Sequence, residues 1–233
     1  MFISYREFEE NLRRVRGAIE EAAVASNRAP DSVTLLPVTK NHPVDAALYA
    51  CRSGLPSVGE NRVQEALAKM SESDEQVKWE LIGPLQSNKA KKVAENFFRV
   101  QSVDRKKIAG ALQRHAAKGN RSLRILLQIN AGEDPNKSGA SLEEAPDLLE
   151  CALGQANLEV EGLMTIAPLS SDPQVARKCF ASLRRCRDRL EESFGVSLPQ
   201  LSMGMSGDMK EAILEGSTIV RVGTALYGER NYA

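Results

Sequence analysis

Residues 33–43 read V-T-L-L-P-V-T-K-N-H-P, an apolar run that ends at a lysine. The β-branched and aliphatic residues of 33–38 predict a short buried strand. His42 and Pro43 interrupt the strand, and Pro43 fits the first turn of a following helix. Lys40 is therefore expected where a buried strand ends and a loop begins. In parallel α/β folds, ligands bind at that end of the strands.

Lys40 has two interpretations at such a position. In dry surroundings the pKa of a lysine amine falls, and the deprotonated amine is a nucleophile toward a carbonyl carbon. The simpler interpretation is a hydrated lysine that follows a strand and has no chemical role. The choice between them depends on what the rest of the chain places beside this lysine.

After a first helix, the chain alternates between short apolar strands and helical segments. The first helix is predicted over residues 4–27, where Ser4 and Glu7 form a capping box. Eight strand-and-helix units follow, and strict alternation favours parallel strands joined by helical crossovers. Eight units close a barrel, so an α/β fold with a single (β/α)8 barrel is predicted. An open doubly wound sheet is the alternative, and residues 1–233 are expected to form one domain.

Polar and glycine-rich residues follow the predicted strands. If the strands are parallel, their C-terminal ends lie on one face, and these residues meet there. The set comprises Lys40, Asn61, Gln101-Ser102, Asn130, Met164-Thr165, Ser202 to Gly207 and Arg221 to Thr224.

Two of these segments have the composition of a phosphate site. Residues 205–208, Met-Ser-Gly-Asp, lead into a predicted helix, where a hydroxyl and backbone N–H groups can bind an anion. Residues 221–224, Arg-Val-Gly-Thr, follow the last strand, and barrels often bind phosphate after their seventh and eighth strands. Plain helix capping by Ser206 or Asp208 is the alternative.

A lysine beside a phosphate site is compatible with two ligands. One is a phosphorylated sugar, but an enzyme acting on it needs paired acid and base residues, and only Glu60 is well placed. The other is pyridoxal phosphate (PLP), with Lys40 bound to its aldehyde. Arg221 favours PLP, because it shares a strand face with Gly223 and can bond a pyridine nitrogen. An ion pair inside the barrel mouth is the simpler role for Arg221.

The composition argues against several classes of function. Lys plus Arg and Asp plus Glu each total 31, so neither a nucleic-acid face nor a basic membrane patch is expected. The four cysteines and two histidines lack zinc-site spacing, so no metal is predicted. A cytoplasmic protein is expected, because there is no signal-peptide core and no membrane-length apolar run. With no obvious apolar patch, a monomer is expected.

Eight motifs, spread in order over nearly the whole chain, carry a resemblance to a known family. They are P-V-T-K-N-H-P (37–43), G-E-N-R-V-Q-E (59–65), L-I-G-P-L-Q-S-N-K (81–89), Q-S-V-D (101–104), N-K-S-G (136–139), E-G-L-M-T-I (161–166), L-S-M-G-M-S-G-D (201–208) and V-R-V-G-T-A-L-Y-G (220–228). The chain resembles the YggS family of PLP homeostasis proteins, whose fold is similar to the N-terminal barrel of alanine racemase. Any one motif alone is weak, but together they are highly specific.

The resemblance implies roles for particular residues. Lys40 would form a Schiff base with PLP, Arg221 would face the pyridine nitrogen, and Asn61 would lie beside the cofactor. The phosphate would be held by Ser206, Gly207, Gly223 and Thr224. The family is regarded as maintaining the vitamin B6 and amino-acid pools without an established reaction. PLP itself and PLP-dependent apoenzymes are the partners implied.

The sequence departs from the family pattern at a few positions. Thr39, Arg62 and Gln101 stand where the family commonly has Ser, Tyr and His. Val44 stands where alanine racemases carry a phosphate-contacting Tyr. The differences at Thr39, Arg62 and Gln101 affect contacts at the edge of the ring and leave the lysine and the phosphate segments intact. Val44 implies a phosphate site that is not identical to that of alanine racemases.

A carrier is favoured over a catalyst. An arginine keeps its proton, so a ring nitrogen facing Arg221 stays neutral and the ring is a weaker electron sink. Racemases also take a tyrosine base from the C-terminal domain of a partner subunit. This chain ends just after the last strand, and none of its four tyrosines is predicted at the end of an interior strand. A low-activity PLP enzyme resembling alanine racemase is the alternative.

Overall fold

The computed structural model describes residues 2–55, 57–73 and 77–229, which form eight parallel strands surrounded by helices. The strands are β1 (Thr34–Pro37), β2 (Ser57–Glu60), β3 (Lys78–Leu81), β4 (Arg99–Val103), β5 (Leu123–Gln128), β6 (Leu158–Met164), β7 (Gln200–Ser202) and β8 (Ile219–Val222). The helices are α1 (Tyr5–Ala25), α2 (Asp45–Arg52), α3 (Val63–Glu72), α4 (Ala90–Asn96), α5 (Lys106–Lys118), α6 (Ala145–Leu153), α7 (Pro173–Phe194), α8 (Met209–Leu214) and α9 (Thr224–Tyr227). A 3₁₀ turn at Ser87–Lys89 precedes α4.

The strands close into a ring. Their order is β1-β8-β7-β6-β5-β4-β3-β2, and each neighbouring pair is parallel. The two outer strands of this order also meet, because Val38 bridges to Gly59 and the Thr39 N–H donates to the Gly59 carbonyl at 3.1 Å. The predicted barrel is confirmed, and the open-sheet alternative is wrong. That residues 1–233 form one domain stays a prediction.

Helix α1 is the predicted extra helix before the barrel. Its capping box is present: Ser4 Oγ accepts from the Glu7 N–H at 3.3 Å, and the Glu7 carboxylate accepts from the Ser4 N–H at 2.8 Å. The buried face of α1 packs against α8 and α9. Asn11 Nδ2 donates to the Leu226 carbonyl at 2.9 Å, which joins α1 to the segment after the last strand.

The barrel interior beneath the end of β1 is apolar. Leu36, Val38, Ile82 and Ile219 are buried together there, in a cluster separate from the main core. Side chains alternate along a strand, so Leu36 and Val38 share the interior face. The apolar cluster therefore lies at the end of β1, next to the segment that carries Lys40.

Two predicted boundaries are wrong. The sequence predicts the fourth strand at 97–100, with Gln101 and Ser102 at the rim, but β4 spans Arg99–Val103 and Gln101 is buried within it. The cause is Phe97, whose N–H donates to the Val93 carbonyl, so that this residue still caps α4. Pro43 does not lie in the first turn of α2, because that helix begins two residues later, at Asp45.

Two kinds of feature are missing from residues 2–55, 57–73 and 77–229. No helix there combines the length and the apolar character needed to cross a membrane. No group of three or more His, Cys, Asp or Glu side chains in the same ranges is arranged to hold a metal ion.

A pair of glycine substitutions tests the packing of β6 on β7. A Cβ on Gly162 would lie 1.9 Å from the Gln200 carbonyl oxygen, whereas a Cβ on Gly17, in α1, meets no atom within 4 Å. We expect Gly162→Ala to lower the free energy of unfolding by about 3 kcal/mol through overpacking. Gly17→Ala should raise it by about 1 kcal/mol, because alanine favours the helix. Equilibrium unfolding in urea measures both, and equal effects would contradict this packing.

Candidate cofactor site

Lys40 lies in a tight turn directly after the first strand. The Thr39 carbonyl accepts from the His42 N–H at 3.1 Å, which closes a four-residue turn with Lys40 in its second position. Lys40 is half-buried. Asn41, the third residue of the turn, has a φ of 60°, in the left-handed region that few residues other than glycine adopt. The structure thus places the lysine where the sequence predicted it, at the C-terminal end of β1.

Three charged side chains, which we call the Lys69 cluster (Glu60, Glu65 and Lys69), pack against this turn. Lys69 Nζ, from α3, donates to Glu60 Oε1 at 2.7 Å and to Glu65 Oε1 at 2.8 Å. The Thr39 Oγ donates to the same Glu60 oxygen at 2.6 Å. A serine hydroxyl can make this bond too, so the departure at Thr39 preserves it.

The carboxyl of Glu60 is fully buried at the end of β2. Burial raises its pKa, and the charge of Lys69 together with the bonds from Lys69 and Thr39 opposes that shift. Glu60 therefore acts as the hydrogen-bond acceptor that joins β1, β2 and α3. This role gives no support to a phosphosugar enzyme with Glu60 as acid or base.

Arg221 is buried on β8, directly beside β1. Leu36 of β1 pairs with Arg221 in the sheet, so the arginine faces the same interior as Lys40. Its guanidinium donates to Ser202 Oγ and to the Thr165 carbonyl, both at 2.8 Å. Burial lowers the pKa of Arg221 to about 10, which still leaves the side chain a cation at neutral pH.

A chain of hydrogen bonds runs from Arg221 across the barrel interior. Ser202 Oγ donates to Gln101 Oε1 at 2.6 Å, and Gln101 Nε2 donates to Glu80 Oε2 at 2.7 Å. Arg99 NH1 donates to the same Glu80 oxygen at 3.2 Å. We call these residues, together with Glu161, the interior polar chain.

The far end of the interior polar chain is ionic. Arg99 Nε donates to Glu161 Oε2 at 2.6 Å, and Arg124 lies 3.4 Å from the other oxygen of that carboxylate. Arg99 and Arg124 lie at the N-terminal ends of β4 and β5, so the chain spans the barrel from one mouth to the other. One half of the interior is therefore polar, and the half beneath Lys40 is apolar.

The two predicted phosphate segments are adjacent. The Ala225 N–H, which follows Thr224, points to Ser206 Oγ at 3.4 Å. A Cβ on Gly207 would meet no atom within 4 Å, so the space beside its Cα is open to a ligand. The structure thus brings together the segments that carry Ser206–Gly207 and Gly223–Thr224.

Asp208 adds an acidic group to this region. Its carboxylate accepts from the Met205 N–H at 2.6 Å, which closes the Met205–Asp208 turn. Burial raises the pKa of Asp208, while the Met205 bond and the charge of Arg221 oppose that shift. Asp208 occupies the N-cap position of α8, but its side chain closes the preceding turn and makes no capping bond to the helix. Its charge counts against a phosphate dianion there.

Asn61 lies on the other side of the Lys40 turn. It follows Glu60 and packs on Gly83, where a Cβ would lie 2.1 Å from the Asn61 carbonyl oxygen. Arg62 follows as the exposed N-cap residue of α3 and makes no side-chain capping bond. Asn61 is therefore held next to the Lys69 cluster, away from the two phosphate segments.

Sequence reasoning missed the Lys69 cluster and the interior polar chain. A signal for the cluster existed, since Glu65 and Lys69 have the i,i+4 spacing of a helical ion pair. That spacing usually describes a solvated pair, and nothing in the sequence shows that Lys69 is buried. The interior polar chain has no comparable sequence signal, because its members come from separate strands.

Gln101 is the connector of the interior polar chain, and substitutions there test it. Gln101→Leu leaves the Ser202 hydroxyl without its acceptor and Glu80 without one of its donors, so we expect the free energy of unfolding to fall by about 3 kcal/mol. Gln101→His keeps one donor and one acceptor and should cost less than about 1 kcal/mol. Chemical denaturation measures the free energy of unfolding of both variants. Equal losses of stability would show that the side chain of Gln101 contributes through the volume it fills and not through its hydrogen bonds.

The chain is similar to known proteins over most of its length. The family model for the alanine racemase N-terminal domain matches residues 3–231. PLP homeostasis proteins of Aquifex aeolicus and Pseudomonas aeruginosa are 40% and 42% identical to it, each over 96% of this chain and over 98% and 96% of their own. The structure of PipY from Synechococcus elongatus with PLP bound aligns with a TM-score of 0.80 at 38% identity, covering 90% of this chain and 100% of PipY. This chain therefore belongs to the family of PLP homeostasis proteins, which share the fold of the alanine racemase N-terminal domain.

Proposed function

We propose that this protein binds PLP through a Schiff base on Lys40 and serves in PLP and amino-acid homeostasis as a carrier. The observation that carries the proposal is the pairing of β1 with β8. It sets a strand-end lysine and a buried arginine on one interior face. PLP supplies an aldehyde that condenses with an amine and a pyridine ring that withdraws electrons.

The residues present fit this cofactor. Lys40 offers a primary amine in the turn that follows the apolar cluster at the end of β1. Arg221 uses two of its five N–H groups on Ser202 and Thr165, so the described contacts leave donors for a ring nitrogen. Gly207 leaves open space for a phosphate oxygen. The PLP-bound PipY structure supports the same assignment for a relative.

Each residue has a specific task in this proposal. Lys40 holds the aldehyde carbon, Arg221 donates to the ring nitrogen, and Asn61 lies at the ring edge. The phosphate is bound by Ser206, Gly207, Gly223 and Thr224. Arg221 also balances part of the negative charge that Asp208 and a phosphate place at this mouth.

The environment of Arg221 supports a carrier. Its pKa of about 10 lies far above that of a pyridine nitrogen, so the proton stays on the arginine and the ring nitrogen stays neutral. A neutral ring is a poor electron sink, which disfavours decarboxylation and transamination.

The described tyrosines give no support to a second catalytic base. Tyr5 bonds Ser53 Oγ at 3.0 Å, and Tyr227 donates to the Ala46 carbonyl at 2.9 Å. Tyr49 packs on Tyr5 in the same aromatic group, outside the barrel. Tyr232 lies outside the described residues.

The alternative is a low-activity amino-acid racemase, which the alanine racemase fold keeps open. The two functions differ in rate. A carrier loaded with PLP racemises L-alanine no faster than free PLP does, whereas a low-activity racemase exceeds that background rate within hours. Polarimetry or chiral chromatography on the loaded protein decides between them.

The proposal extends to partners and location. We propose that the protein works as a monomer in the cytoplasm and delivers PLP to PLP-dependent apoenzymes. Analytical ultracentrifugation of the purified protein tests the oligomeric state, and a monomer should sediment with a mass of 25.5 kDa.

Substitution of Lys40 tests the covalent link. In the wild type, borohydride should fix PLP to one peptide and bleach a visible absorbance band. Lys40→Ala should abolish both, while the free energy of unfolding changes by less than about 1 kcal/mol, because a half-buried turn residue packs little. Lys91→Ala, at an exposed lysine of α4, is the matched control and should label like the wild type. Undiminished labelling of Lys40→Ala would assign the imine to another lysine.

Substitution of Arg221 tests its two roles. Arg221→Ala leaves Ser202 Oγ and the Thr165 carbonyl without their donor, so we expect about 3 kcal/mol of lost stability. Loss of the ring contact should weaken PLP binding about tenfold. Titration followed by absorbance and urea unfolding measure the two effects, and unchanged affinity in a folded variant would contradict the ring contact.

A further inference from the structure

A second buried lysine lies beside the Lys40 turn. Lys69 is only 6% exposed, and its Nζ donates to the Thr39 carbonyl, Glu60 Oε1 and Glu65 Oε1 at 2.7, 2.7 and 2.8 Å. All three contacts of this amine are to oxygen acceptors of the protein, and they hold it away from any other partner. Lys69 is therefore not a rival nucleophile.

The Lys69 cluster holds the two peptide groups on either side of Lys40. Lys69 binds the carbonyl of Thr39, which precedes Lys40, and Glu65 Oε1 accepts from the N–H of Asn41, which follows it, at 2.6 Å. Both anchors belong to α3, one helical turn apart. The backbone of the turn is thus fixed immediately before and after the lysine.

The conformation of Asn41 fits its place in this turn. Its φ of 60° lies in the left-handed region, which asparagine adopts more readily than most residues with a side chain. The bond from the Asn41 N–H to Glu65 and the bond from Lys69 to Thr39 hold the turn in this conformation.

We propose that Glu60, Glu65 and Lys69 are positioning residues that orient Lys40 for attack on the PLP aldehyde. This inference rests on the proposed function. With the turn fixed, only the side-chain torsions of Lys40 remain to be ordered when the imine forms, and less entropy is lost. The phosphate segments follow β7 and β8, whereas the cluster belongs to β2 and α3, so phosphate binding should persist when the cluster is altered.

The competing explanation is an ion pair that merely fastens α3 to the barrel. Such a pair affects folding, and it changes covalent and total PLP binding together. A positioning role separates the two quantities, because imine formation slows while non-covalent binding through the phosphate persists. The test therefore compares the rate of borohydride-trapped labelling with total PLP bound in equilibrium dialysis.

The first variants are made at Glu65, whose side chain is 22% exposed, so its loss is compatible with folding. Glu65→Ala removes the anchor of the Asn41 N–H, and we expect trapped labelling to slow about tenfold while total binding falls less than about threefold. Glu65→Gln keeps the oxygen that accepts this bond and should restore most of the rate. Glu95→Ala, at an exposed glutamate that pairs with Lys91 on α4, is the matched control and should behave like the wild type.

The second variant removes Lys69 without leaving an unpaired buried charge. Lys69→Met combined with Glu60→Gln keeps an acceptor for the Thr39 hydroxyl, and we expect labelling to slow by at least the factor seen for Glu65→Ala. Lys91→Met is its control. Mass spectrometry of the trapped peptide should find PLP on Lys40, and a label on Lys69 in the wild type would overturn the proposal.

The outcomes separate this proposal from the proposed function. Wild-type labelling on Lys40 with unchanged rates in folded Glu65→Ala overturns the positioning role alone. Equal losses of trapped and total PLP overturn it in favour of the fastening role. If the wild type forms no trapped adduct at all, the proposed function fails and the positioning role with it. Should the double variant not fold, the Glu65 pair gives the decision.

Discussion

The contact between the first and second strands is the constraint on which the site depends. The Thr39 N–H donates to the Gly59 carbonyl, and this bond closes the ring of strands. It also sets Thr39 against Glu60, the residue after Gly59, so the two ends of the sheet meet at one buried carboxylate. The same contacts of Thr39 therefore close the barrel and position the turn that carries Lys40.

The interior of the barrel is divided. Beneath Lys40 it is filled by aliphatic side chains, and beneath Arg221 it is filled by the interior polar chain. The division gives the two residues different neighbours. The turn of Lys40 adjoins aliphatic side chains, whereas the guanidinium of Arg221 is joined to a serine hydroxyl and a backbone carbonyl.

Much of this architecture follows from the sequence. Alternation of apolar runs with helical segments predicts eight parallel strands, and parallel strands collect their C-terminal ends on one face. The sequence alone therefore suffices to assign Lys40 and the two glycine-bearing segments to one mouth of the barrel. The short helix at Thr224–Tyr227 has no such signal, because four residues show no helical period.

Other features depend on tertiary contacts that local sequence pattern does not encode. Phe97 and Phe98 have the composition of a strand start, but Phe97 caps α4, and this places Gln101 in the interior instead of at the rim. Lys69 has the spacing of a surface ion pair with Glu65, and only the packing of α3 on the barrel shows that it is buried. Burial of polar groups is decided by three-dimensional packing, and sequence spacing alone is silent on it.

The interior polar chain has a consequence for how this barrel can evolve. Between Arg221 and Glu80 the hydrogen bonds run in one direction, because Arg221 donates to Ser202, Ser202 to Gln101 and Gln101 to Glu80. A replacement that reverses one donor leaves two neighbours mismatched, so accepted changes must either conserve polarity at that link or arrive in pairs. Substitutions inside the barrel should therefore be correlated between strands that are distant in sequence.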